Sequence, residues 1–254
     1  MPLDVEKKQM VLEYCERDLP DNIWFLRQFD FVDNIPLKQK LAQEFYAARY
    51  IYKLGEALSV DEARLHAHLK FQIMQYASIY EAIIVYLLWD KFTSHSELEK
   101  IQYHKTYKLA ATFPGGLNIT NADGEEVFLC VQRKEKTSTF SIKFDDKVDA
   151  AVAIGFVQES IGSEIKEFYR LRNAIHLETA IKKSIEYELG QAQLAYWRMQ
   201  PFIEYIKAQL PVLLRDGEGG ATSLLSAPPV DHVMDSAPVA DNLEAAVPPL
   251  PPAT

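Results

Sequence analysis

The chain has 254 residues, of which 48% are hydrophobic, 25% charged and 11% aromatic. That composition excludes a wholly disordered chain, a collagen-like repeat and a disulfide-stapled miniprotein, and the length allows one large domain with extensions. The net charge of −9 is uneven: from Asp216 onward there are six acidic residues and no Lys or Arg, leaving 30 acidic against 27 basic side chains before it. A nearly neutral body argues against broad coating of nucleic acid but leaves room for a local RNA cleft.

In chain order, residues 1–58 read as an amino-terminal helical extension. Glu6 to Asp18 is amphipathic, and Pro36 fits the first turn of a helix running to about Gly55. Ser59-Val60-Asp61-Glu62 has the pattern of a capping box opening a long helix to about Lys91. Ser94-His95-Ser96-Glu97 repeats that pattern before a helix to about Leu109. Residues 59–215 form the expected bundle, interrupted at about 114–144 by a small β-hairpin or meander. There Pro114-Gly115-Gly116 breaks the chain, and Asn121-Ala122-Asp123-Gly124 predicts a turn. Val127–Val131 and Phe140–Phe144 predict strands joined by the charged turn Arg133-Lys134-Glu135-Lys136. Helix resumes at Asp146, with a break expected near Gly162, and reaches about His176. A last helix covers about Ser184 to Leu214, kinked at Pro201 and ended or bent at Pro211. Residues 216–254 hold seven of the thirteen prolines and no aromatic residue, and are expected to be disordered. The fold class is therefore mainly α.

Cys15 and Cys130 stand far apart with no CxxC pair, which excludes a zinc ribbon and a thioredoxin motif. His66 and His68 point to different sides of a helix, and no metal or cofactor is expected. The amino terminus, MPLDVEKKQMVLEY, lacks a secretory apolar core. The most apolar stretch, Ile79 to Trp89, is too short for a bilayer and contains Glu81. A cytoplasmic protein with no membrane partner is expected.

The segment IGSEIKEFYRLRNAIHLET, residues 161–179, carries the chemistry. On a helix at about 100° per residue, Ile165, Phe168 and Ile175 share one stripe. Arg172 falls in that stripe, His176 lies four residues on, and Arg170 points away. A guanidinium on an apolar face needs a partner or a polar cleft. Glu81, which interrupts an apolar run on the long helix, is the expected partner. It makes Arg172 either part of a buried polar network or the phosphate-binding group of a site that Glu81 orients. Asn173, on the flank, is placed to orient a phosphate or cap the helix. Arg170, Arg133 and Lys134, with Lys143 and Lys147 nearby, are further candidates for phosphate contacts.

Arg172-Asn173-Ala174-Ile175-His176, between two long helices, resembles the signature of the HEPN superfamily, the higher eukaryotes and prokaryotes nucleotide-binding domains. The likeness spans about Asp61 to Leu214. The family's usual spacing leaves four to six residues between Arg and His; three intervene after Arg172 and five after Arg170. The resemblance implies a dimeric helical bundle acting as a metal-independent RNA endonuclease, as in toxin–antitoxin, phage-defence and CRISPR systems. An antitoxin or another protein partner is implied with it. By this likeness His176 is the general acid/base, Arg172 the phosphate stabiliser and Asn173 a helper. The chemistry is coherent, because RNA supplies its own 2′-OH nucleophile, histidine titrates near neutrality and arginine presents a fixed fork to phosphate. The other reading is a non-catalytic HEPN-like dimer that binds RNA, a nucleotide or a protein.

Overall fold

A computed structural model describes residues 3–110, 119–182 and 184–219. The break expected at Pro114-Gly115-Gly116 and the tail from Gly220 on lie outside the described residues. Mainly helical architecture is what the chain adopts.

Three helices open the chain, α1 (Val5–Glu16), α2 (Asn22–Gln28) and α3 (Ile35–Ala57). Each begins on a side-chain cap that takes up an otherwise unpaired backbone N–H. The oxygens of Asp4, Asp21 and Asn34 accept from the amides of Lys7, Trp24 and Leu37 at 2.9, 2.7 and 3.0 Å. Pro36 sits in the first turn of α3, as its missing N–H predicts.

Helix α4 (Glu62–Tyr86), extended by a wider turn over Leu87–Lys91, is the axis of the molecule. It packs against α3, α6 (Phe144–Ile154), α7 (Glu159–Asn173) and α9 (Leu189–Gly219). Its capping box does not form. Ser59 adopts a left-handed φ of 46° in the turn that ends α3, so its hydroxyl is not at the cap, and the Asp61 carboxylate pairs with Arg64. The segment Glu62–Lys91 has a mean hydropathy of 1.3 over its most apolar window. By length and composition it is long and apolar enough to cross a bilayer, a test that a buried core helix also passes, and 56% of that window is buried inside the protein. Tyr80, fully buried, shows how that core is built: its ring stacks on Phe168 with centroids 5.9 Å apart, and its hydroxyl donates to the Ala195 carbonyl at 2.9 Å.

The second capping box opens a shorter element than expected. His95, not Ser94, caps α5 (Ser96–Gln102), with Nδ1 accepting from the Glu97 amide at 3.2 Å. Residues 103–109 are not helix but strand β1 (Tyr103–Leu109). A small hairpin follows, β2 (Ile119–Thr120) against β3 (Glu126–Val127), around the expected Asn121–Gly124 turn. There Asn121 Oδ1 accepts from the amides of Asp123 and Glu125, and Gly124 takes a φ of 82°. Strand β4 (Cys130–Lys136) pairs antiparallel with β1 over seven positions, from Tyr103 opposite Lys136 to Leu109 opposite Cys130. Arg133 and Lys134 therefore lie mid-strand and not at a turn. Phe140–Phe144 is not a strand: a single helical turn at Thr139–Ser141 leads into α6, whose buried Phe144, Val148 and Ala151 recur at helical spacing.

Two glycines explain the connection from α6 to α7. Gly155 ends α6 at a φ of 101°, a conformation that a side chain disfavours. Gly162 does not break the chain but lies inside α7, where an added Cβ would come within 2.8 Å of Val152 Cγ2 on α6. It is there for close packing. A short helix, α8 (Leu177–Lys182), precedes α9, which continues past Pro201 and Pro211 and runs beyond the boundary expected at residue 216.

Candidate functional site

The last turns of α7 meet the middle of α4 and the start of α6. Arg172 Nη1 lies 3.2 Å from Glu81 Oε2, with side chains 33% and 25% exposed. The pair expected from the sequence thus forms, at the edge of the core and in partial contact with solvent. The guanidinium also lies 5.2 Å from the centroid of the Tyr169 ring, which packs on Phe144 at 4.1 Å between centroids. Burial raises the pKa of the Tyr169 hydroxyl, and the Glu81 carboxylate adds to the rise. Tyr169 therefore stays protonated across the neutral range.

Lys147 completes this cluster. It was a candidate phosphate contact near a hairpin tip, but α6 carries it on the core-facing side, 6% exposed, with its ammonium 5.7 Å from the Trp89 ring. Burial pulls its pKa below the usual lysine value, and the charge of Glu81 opposes that fall. Glu81 is thus ion-paired with Arg172 and acts on Lys147 only through its charge. The Trp89 Nε1–H is buried without a hydrogen-bond partner among the described residues. The sequence places Lys147 in the wrong environment and does not single out Tyr169, although Lys147 falls in step with Phe144, Ala151 and Ile154 on one helical stripe. A charged residue in an apolar stripe is the same signal that singles out Arg172.

His176 is not one helical turn above Arg172. Helix α7 ends at Asn173, and the backbone turns at Ala174, with ψ at 9°. The Leu171 carbonyl is taken up by the Ala174 amide at 3.1 Å and by the Tyr187 hydroxyl at 2.9 Å. That tertiary hydrogen bond closes the helix where no glycine or proline marks a stop. His176 instead starts α8, its carbonyl accepting from the Ala180 amide at 3.0 Å, and its side chain is exposed. Ile175, expected on the core stripe, is exposed as well.

Arg170 points away from the core and is held by Glu167, with Nε 2.7 Å from Oε2. It lines a groove of about 620 Å³ together with Phe140, Lys143, Tyr169 and Asn173. Tyr169, whose ring lies against the Arg172 guanidinium, also lines that groove, as does Asn173. Arg133 and Lys134 belong to the β1–β4 ribbon, a separate element. His66 packs edge-on against Tyr187, and among the described residues no three His, Cys, Asp or Glu side chains gather as a metal site.

No protein-family model, no curated protein and no solved structure matches the chain.

Proposed function

We propose that the protein is a HEPN-like, metal-independent RNA endonuclease of the toxin or defence type, working in the cytoplasm as a homodimer. The observation that carries this reading is the Arg172 site. A guanidinium anchored on Glu81 but one-third exposed, with the buried Lys147 ammonium also within reach of that carboxylate's charge, sets two cations against one carboxylate at the edge of the core. Such a site suits the phosphoryl group of a phosphodiester, where fixed donors stabilise the charge of the transition state. In the proposed reaction the 2′-OH attacks phosphorus, its proton passes to the His176 imidazole, and the P–O5′ bond breaks. The 5′ oxygen takes up a proton, leaving a 2′,3′-cyclic phosphate and a 5′-OH. Asn173 positions a phosphate oxygen, and Glu81 orients Arg172. Ile175 and Ile181, both exposed, supply apolar surface for the second copy.

The position of His176 beyond the end of α7 favours a second reading, a non-catalytic dimeric module that binds RNA, a nucleotide or a protein such as an antitoxin. Incubation of the purified protein with mixed RNA in EDTA separates the two. Cleavage with cyclic phosphate ends, lost in His176→Ala, supports the enzyme. Intact RNA with folded, dimeric protein sinks the enzyme and leaves the module.

A further inference from the structure

The β1–β4 ribbon carries five Lys or Arg and a single acid, Glu135, in a chain whose net charge is −9. In an antiparallel pair, directly opposite residues share a face. One face therefore presents Tyr103 beside Lys136, Lys105 beside Lys134, and Tyr107 beside Gln132. It holds three lysines, two tyrosines and no acid. The other face holds Glu135, which pairs with Lys108.

Little covers this face. Tyr107 is 68% exposed, with its hydroxyl accepting from Gln132 Nε2 at 3.2 Å. Lys134 is held by Glu99 of α5, and its ammonium lies 4.7 Å from the Tyr103 ring centroid. Lys105 and Lys136 pair with no acid among the described residues. Like charges directly across a ladder destabilise it, and a two-stranded ribbon alone in water is marginal. The Lys105–Lys134 pairing therefore works against the ribbon's own stability, offset on the Lys134 side by Glu99. Yet the ribbon is fastened at its foot, where the Thr137 amide donates to the Gln102 carbonyl at 2.7 Å and His104 Nδ1 bonds Thr137 Oγ1 at 2.9 Å. A cleft of about 570 Å³ opens there, lined by Tyr103, Lys105, Lys134 and Lys100, with Glu99 its one acid.

We propose that this face of the ribbon is an arm that binds single-stranded RNA, its lysines holding successive phosphates and Tyr107 stacking on a base. Same-face residues repeat every ~7 Å along a strand, a spacing comparable to that of neighbouring phosphates in an extended chain. Alternation of cation and aromatic ring is the chemistry that single strands select, since every base has a face to stack and every phosphate a charge. The choice of RNA as the polyanion rests on the function proposed above.

The test uses a fluorescent 2′-O-methyl RNA oligomer, which has no free 2′-OH and so reports binding apart from cleavage. Wild type is expected to bind. Tyr107→Ala should weaken binding roughly tenfold. Lys105→Gln with Lys136→Gln should lower the salt slope of log affinity by about 1.4. Lys105→Glu is the decisive variant, because it puts opposite charges across the ladder. Hydrogen exchange of the ribbon amides should slow or stay unchanged while affinity falls, which a folding defect cannot produce. Failure of wild type to bind, affinity untouched by the three variants, or binding to phosphatidylserine vesicles instead of the oligomer would overturn the arm. Binding through the ribbon without cleavage of ordinary RNA upholds the arm and removes the nuclease. Cleavage with a KM indifferent to Lys105→Glu does the reverse.

Discussion

Arg172 and Lys147 sit among packed helices, Arg172 paired with Glu81 and Lys147 within reach of that carboxylate's charge, whereas Lys105 and Lys136 stand on an exposed ribbon with no acid of their own among the described residues. In the bundle Arg172 has a partner built in, so its position is fixed by α4 and α7 together, while Lys147 carries an uncompensated cost of burial. On the ribbon, solvent screens Lys105 and Lys136, and Lys105 lies directly across the ladder from Lys134, whose counter-charge is Glu99. The first arrangement suits chemistry that needs a fixed donor. The second suits a surface that acquires its counter-charges on binding.

The largest expected effect falls on the bundle. His176→Ala should lower RNA cleavage by roughly 100-fold or more, the usual contribution of a general acid/base, with an unchanged circular dichroism spectrum. Activity that survives would remove proton transfer by His176. Next comes packing: Gly162→Ala forces a Cβ against Val152 and should cost about 1–3 kcal/mol in urea denaturation. A Gly162→Ala protein as stable as wild type would mean that α6 and α7 do not meet there.

Smaller effects probe the shared carboxylate. Glu81→Gln and Arg172→Gln should each destabilise by about 1 kcal/mol, with a coupling near 0.5–1 kcal/mol in the double-mutant cycle, since both side chains are partly exposed. Additivity would show that the pair contributes nothing. Lys147 has a folded pKa below its unfolded value, so its burial penalises the charged form. The penalty is complete below the folded pKa and disappears as pH rises through it toward 10.5, so stability gains with pH in that window. Lys147→Met should therefore stabilise at pH 7 by about 1 kcal/mol, an advantage that shrinks above pH ~10. An advantage that persists at high pH would point to packing rather than charge.

The bundle site was more legible in the sequence than the ribbon. Arg172 stands in an apolar stripe and Glu81 in an apolar run, and each irregularity points to the other. The end of α7 was not legible, because the Tyr187 hydroxyl that closes it comes from sixteen residues away. The ribbon was misread because β1 follows directly on α5, and its pairing with β4 is set by long-range register, which local patterns do not carry. That misreading placed Lys147 beside a hairpin tip instead of in the core. Gly162 signalled a break by its type, but its role depends on Val152 of the neighbouring helix.

The division between fixed site and binding arm is tested most directly by steady-state cleavage of single-stranded RNA, comparing Arg172→Lys with Lys105→Glu. The account expects the loss in Arg172→Lys to fall on kcat, by about 100-fold for a misfitted donor, and the loss in Lys105→Glu to fall on KM. Losses on the same parameter in both variants, or no cleavage by wild type, would contradict it.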